Sequence, residues 1–144
     1  MKPGRKLITS GLLKKCKLDK NIFTRDTEDA SLFLFNDALV VTSKILNSYA
    51  FKAIIDFNTS GSVRIKDIPD MELVQNVFYL ISPLKTFTFM ASNNEEKIRW
   101  INLINGCLSE SIERTRSFES MGVRIENVCS SFFKVFFFDY HFLL

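Results

Sequence analysis

An antiparallel β sandwich or barrel closed by one C-terminal α-helix is predicted by three observations. Seven short apolar runs lie between residues 11 and 91, set apart by turn-forming clusters. They are rich in aromatic and β-branched residues and largely alternate with a period of two, as half-buried strands do. A single helical period then begins near Asn94. Strands without interspersed helices exclude a βαβ architecture.

The first run is Gly11-Leu12-Leu13-Lys14-Lys15-Cys16, followed by a polar stretch from Lys17 to Asp29 that reads as a loop. Ala30-Ser31-Leu32-Phe33-Leu34-Phe35 is the second, and Asn36-Asp37, a pair that tolerates positive φ, turns the chain into Ala38-Leu39-Val40-Val41-Thr42-Ser43. In the fourth run, Tyr49 to Phe57, the residues Phe51, Ala53, Ile55 and Phe57 share one face while Lys52 and Asp56 point away. Asn58-Thr59-Ser60-Gly61 ends it, and Val63 and Ile65 then alternate with Arg64 and Lys66. Asn76 to Ser82 and Thr86 to Ala91 form the last two strands around the turn Ser82-Pro83-Leu84-Lys85. Ser92-Asn93-Asn94-Glu95 reads as a capping box. Beyond it Ile98, Ile101, Ile104 and Leu108 recur at helical spacing beside Trp100, Leu103 and Cys107, predicting an amphipathic helix into the 110–116 region. Trp100 is read as a structural anchor, because aromatics on an apolar helix face usually pack.

The 144 residues suit one domain with a real core, and 47% apolar composition is too high for a disordered chain. No run approaches the ~18 apolar residues of a membrane-spanning helix. Three scattered cysteines (Cys16, Cys107, Cys129) with no CxxC argue for a reducing compartment and against a disulfide framework or zinc site. A cytoplasmic chain is expected. The overall charge of +3 hides an asymmetry: residues 1–25 hold eight basic groups and one acid, so the remainder is net acidic. Two readings of this bipolar layout are open: one end that meets a polyanion, or charged strand faces and loops that are simply solvated.

Residues 117–131 read as a linker. Phe132 to Leu144 then packs six of the fifteen phenylalanines into a segment too short to span a bilayer. Two readings of this tail are open: an aromatic segment dipping into a membrane interface or partner groove, or a non-native ending such as translated intron. The second is preferred, since an unpartnered aromatic tail is an aggregation liability.

Catalysis has no carrier here. His141 is the single histidine, and no Ser/His/Asp or Cys/His constellation, HExxH, P-loop or GxGxxG occurs. The carboxylate pairs Glu28-Asp29 and Glu95-Glu96 suit solvation and a helix N-terminus better than acid–base work. No enzyme activity, cofactor or metal is expected.

Specific residues then carry a family likeness. Gly4-Arg5-Lys6-Leu7-Ile8-Thr9-Ser10-Gly11-Leu12-Leu13-Lys14-Lys15 resembles the opening of pleckstrin homology (PH) domains in Dbl-type Rho guanine nucleotide exchange factors and in the phafins, which couple a PH to a FYVE domain. Leu32-Phe33-Leu34-Phe35-Asn36-Asp37-Ala38-Leu39-Val40 resembles their second hairpin, and Phe87, Ala91-Ser92 and Glu96-Lys97-Ile98-Arg99-Trp100-Ile101-Asn102 their ending. The likeness spans roughly residues 4–110, and places the domain at 4–116 with 117–144 as linker and tail.

The resemblance implies a mainly β, PH-like fold: a seven-stranded, partly open antiparallel barrel capped by one C-terminal α-helix, with its ligand end at the loops between strands 1–2, 3–4 and 6–7. It implies membrane targeting through phosphoinositides and other anionic lipids, hence a cytoplasmic protein peripheral at membranes. The residues expected there are Lys14, Lys15, Lys17, Lys20, Arg25, Lys44 and Lys85. Lys15 matches the family's strand-1 lysine. Where phosphoinositide binders carry a basic pair at the start of strand 2, this chain has Glu28-Asp29-Ala30-Ser31, which raises the cost of a tight phosphate pocket. A weak, charge-driven module is therefore expected. The alternative is a fragment of a Rho exchange factor, whose PH domain regulates small-GTPase exchange and cytoskeletal signalling through a Dbl-homology domain not present in these residues. A phosphotyrosine-binding-like peptide module is a further alternative. Nucleic acid is not an expected partner, because the aromatics alternate into a core instead of forming a stacking face.

Overall fold

A computed structural model describes residues 4–19, 22–58, 63–72 and 74–120; the side chains of 17–19, 22–26, 115 and 118–120 lie outside that description. The segment 121–144, including the aromatic tail, also lies outside it. Seven strands form one antiparallel sheet: β1 (Leu7–Asp19), β2 (Ile22–Phe35), β3 (Ala38–Ile45), β4 (Ser48–Asp56), β5 (Arg64–Asp67), β6 (Val77–Ile81) and β7 (Thr86–Met90). Their spatial order is β4-β3-β2-β1-β7-β6-β5, so β1 pairs on one side with β2 and on the other with β7. Helix α1 (Asn94–Ser120) follows and packs against β5 and β6.

Alternation along the strands builds the core. Leu13, Leu32, Leu34, Leu39, Val41, Ile55, Phe78, Leu80, Phe87 and Phe89 all face inward and form one buried cluster with Trp100, Ile104 and Cys107 of α1. Trp100 is fully buried, and its ring lies so close to Gly11 that an added Cβ there would stand 3.1 Å from Cζ2. A second, smaller cluster of Ile68, Val74 and Val77 packs with Tyr79 and Met90.

Three local expectations are corrected. The polar stretch 17–29 is no loop: β1 runs to Asp19 and β2 starts at Ile22, leaving residues 20–21 between them. Opposite charges extend this hairpin, since Lys14 pairs with Asp29 and Lys15 with Glu28 across the ladder. The cap lies one residue later than the sequence pattern places it. Asn93 Oδ1 accepts from the Glu96 N–H at 2.8 Å, and the Glu96 carboxylate reaches back to the Ser92 N–H and hydroxyl. On α1 the expected apolar face packs against the core except at one position. Ile98 is exposed, while Lys97 is buried on the line of Trp100, Ile104, Cys107 and Ser111. The Lys97 ammonium donates to the Ile68 carbonyl at 2.7 Å and pairs with Asp67 at 2.5 Å.

The register also sets the two ends of the barrel. Lys15 of β1 lies beside Phe89 of β7, so the C-terminal end of β1, the start of β7 and the turn 82–85 lie together. Ala30 pairs with Ser43, and Ile45 with Ser48, which brings the β3–β4 turn to the same end. The far end holds the β2–β3 turn, where Arg5 makes a bidentate pair with Asp37 at 2.9 and 3.0 Å and Arg114 donates to the Asn36 carbonyl.

Candidate functional site

The candidate site is the rim made by the β1–β2, β3–β4 and β6–β7 connections. The strands deliver its cations one by one. In β1, Leu13 is buried, so Lys15 points towards the barrel interior just where the core gives out at the rim, and Lys14 points away. The Lys15 ammonium stands 5.8 Å from the centre of the Phe87 ring. The Lys85 ammonium, from the turn opening β7, stands 5.1 Å from the same centre. Two of the expected cations are thus brought to one aromatic ring, each within cation–π range. Lys44 is exposed near the end of β3, opposite Tyr49, on the other flank of the β1–β2 hairpin.

Other expected residues fare differently. Lys14 lies at the rim but forms an ion pair with Asp29 at 2.7 Å, both side chains about half exposed. Lys17 and Arg25 lie by backbone in the outer parts of β1 and β2, their side chains outside the described residues, as is the whole of Lys20. The acids that depart from the binder pattern lie at the rim too, because Glu28 is the ladder partner of Lys15 and Asp29 that of Lys14. The basic amino-terminal segment is divided: Arg5 is committed to Asp37 at the far end, about 30 residues along the chain. What sequence reasoning missed is the Phe87 ring as a shared seat for two lysines. Its only signal is that residues 85 and 87 follow the turn opposite the end of β1.

Chemically, the lysines of this rim offer positive charge to an anion. Among the described residues, the thiols of Cys16 and Cys107 are poorly suited to attack. Burial pushes the Cys16 thiol above its ordinary value, and burial followed by the Glu110 carboxylate does the same for Cys107. Among the described residues no three His, Cys, Asp or Glu side chains gather in a metal-binding group, and no helix is long and apolar enough to cross a membrane.

Seven antiparallel strands, a tryptophan-anchored C-terminal helix and a lysine-bearing rim define a PH-class domain. The SOS1/NGEF-like PH domain family model matches residues 2–107, and the chain belongs to the PH domain family. Pleckstrin homology domain-containing family F member 2 from Danio rerio and from Homo sapiens is each 30% identical over 115 residues. Each match covers 78% of this chain and 43% of the relative, so the chain spans less than half the length of these proteins. Among solved structures, the DH/PH fragment of PDZRHOGEF in complex with human RhoA superposes with a TM-score of 0.58 at 21% identity, covering 74% of this chain and 29% of that one. The N-terminal PH domain of human ARAP2 gives 0.51 at 21%, covering 71% and 79%. These two structures share the fold.

Proposed function

We propose that this chain is a non-catalytic PH module that targets anionic membrane surfaces, phosphoinositide-containing ones included, through its lysine rim, with residues 4–116 as the binding unit. The observation that carries this reading is the placement of Lys15, Lys85 and Lys44 at one end of the barrel. A basic side chain near an anionic leaflet contributes about 1 kcal/mol, so three give about 3 kcal/mol, weaker than a millimolar complex. Glu28 and Asp29 beside Lys15 and Lys14 keep the site from offering the concentrated charge of a tight headgroup pocket. Such a module acts with a second attachment in the same protein or through avidity.

Co-sedimentation with phosphatidylcholine vesicles, with and without phosphatidylserine or a phosphoinositide, tests this at two salt concentrations. Binding that rises with anionic lipid and falls with salt is expected; binding indifferent to both would end the reading. The likeness to DH/PH structures favours a second reading, in which this PH domain regulates a Dbl-homology exchange domain acting on a small GTPase. The adjoining coding sequence discriminates: a helical Dbl-type segment upstream supports the exchange factor, and a cysteine-rich FYVE pattern downstream supports a PH–FYVE protein.

A further inference from the structure

The two most exposed large apolar side chains among the described residues are Leu84 at 97% and Leu46 at 89%. Both lie in turns at the lysine rim, one between β6 and β7 and the other between β3 and β4. Neither is there for turn chemistry. Leu46 holds φ at 55°, a left-handed conformation that glycine or asparagine adopts more readily and that crowds the Cβ of leucine. Leu84 is held out by a closed turn, in which the Ser82 N–H and hydroxyl both donate to the Lys85 carbonyl, at 3.0 and 2.6 Å, with Pro83 fixing the intervening backbone. Ile45 and Tyr49 flank Leu46 and are more than half exposed.

Resting on the membrane reading above, we infer that Leu46 and Leu84 are paired wedges that insert into the acyl–headgroup boundary of an anionic bilayer while Lys44 and Lys85 engage its headgroups. Each wedge has a lysine within two residues, and the stretches 43–49 and 82–87 contain no acid. That arrangement complements a negatively charged surface with an apolar layer just beneath it. The tips stand on opposite flanks of the β1–β2 hairpin. A deformable lipid layer takes both at once, whereas a protein would need two separate pockets at matched spacing. Because both turns are already ordered, insertion costs little conformational entropy. The wedges supply the second attachment that three lysines lack.

The test uses the full chain and vesicles of phosphatidylcholine with phosphatidylserine. Leu46→Ser and Leu84→Ser should each weaken vesicle binding about 10-fold and the double variant about 100-fold, the scale of partly burying one leucine each. In Leu84→Trp and Leu46→Trp, the new indole should shift to the blue on binding and be quenched by brominated phosphatidylcholine, over the constant background of buried Trp100. Full-strength, salt-sensitive binding by the double variant, with no quenching of either indole, overturns insertion, keeps the charge-driven function and leaves a protein partner as occupant of the tips. No vesicle binding by the unchanged chain overturns both.

Discussion

Reversing the charge of Lys85 should cost far more membrane affinity than reversing that of Lys66. Lys85 is the cleaner probe of the rim than Lys15, because Lys15→Glu would put a carboxylate opposite Glu28 on the ladder and disturb the hairpin itself. Lys85 is exposed and belongs to the β6–β7 turn. Losing its attraction and adding an equal repulsion amounts to about 2 kcal/mol at an anionic leaflet, or about 30-fold in affinity. Lys66 pairs with Tyr79, three residues before the turn begins at Ser82. At about 3.4 Å per residue it stands roughly 10 Å behind the rim. That is about one Debye length at 0.1 M salt, so its share falls to about a third and Lys66→Glu should cost about 3-fold. Vesicle co-sedimentation at 0.1 M salt reads the difference, and repeating it at 1 M, where screening acts within about 3 Å, should shrink both losses to under about 2-fold. Equal losses at low salt would show that net charge alone sets binding and that the rim has no privileged position.

The acids at the rim should act oppositely: Glu28→Gln with Asp29→Asn should tighten binding to phosphatidylserine vesicles about 10-fold by releasing Lys14 and Lys15 to the lipid, and an unchanged affinity would remove these acids from the account. Lys97→Met keeps the aliphatic stem but strips the Ile68 carbonyl of its charged donor; about 2 kcal/mol and a melting temperature lower by about 10 °C are expected in a thermal scan. Asp67→Asn should cost under about 1 kcal/mol in the same scan, because that carboxylate is 64% exposed. Burial and Glu110 hold the Cys107 thiol above its ordinary value of 9.0, so the unfolded chain ionises first as pH rises. Its contribution to stability is therefore complete below pH 9 and declines above it. Urea melts at pH 8 and 10 should show a smaller loss in Cys107→Ala than in the unchanged chain.

The strands of the core were readable because their physics is periodic. Leu32, Leu34, Leu39, Val41, Phe87 and Phe89 alternate with residues that face away, and that alternation alone orients them. The outer half of the β1–β2 hairpin was not readable. Its pairings include Lys14 with Asp29 and Lys15 with Glu28, and the polar sequence from Lys17 to Asp29 carries no apolar alternation to announce a strand. Along α1 only Ile98 departs from the expected apolar face, for a related reason. Hydropathy favours Ile98 over Lys97, yet Trp100 against Gly11 fixes the rotation of the helix, and the nearby Ile68 carbonyl and Asp67 carboxylate make burial of an ammonium tolerable.

The rim illustrates where such reading stops. A lysine in the sequence carries the same formal charge wherever it lies, but the fold gives each a different electrical setting. Arg5 is tied to Asp37 at the far end, Lys14 is paired with Asp29, and Lys15 shares a ring with Lys85 from 70 residues further along. Only the last of these needs the closure of β1 onto β7, a long-range pairing that no local pattern announces. Turn residues are harder still, since the sequence can place Leu84 in a turn but does not tell that it and Leu46 stand almost fully exposed. Under the membrane reading proposed above, the weakness of the cation set and the exposure of the leucines belong together: charge would bring the rim to the leaflet, and residues that no core can use would hold it there.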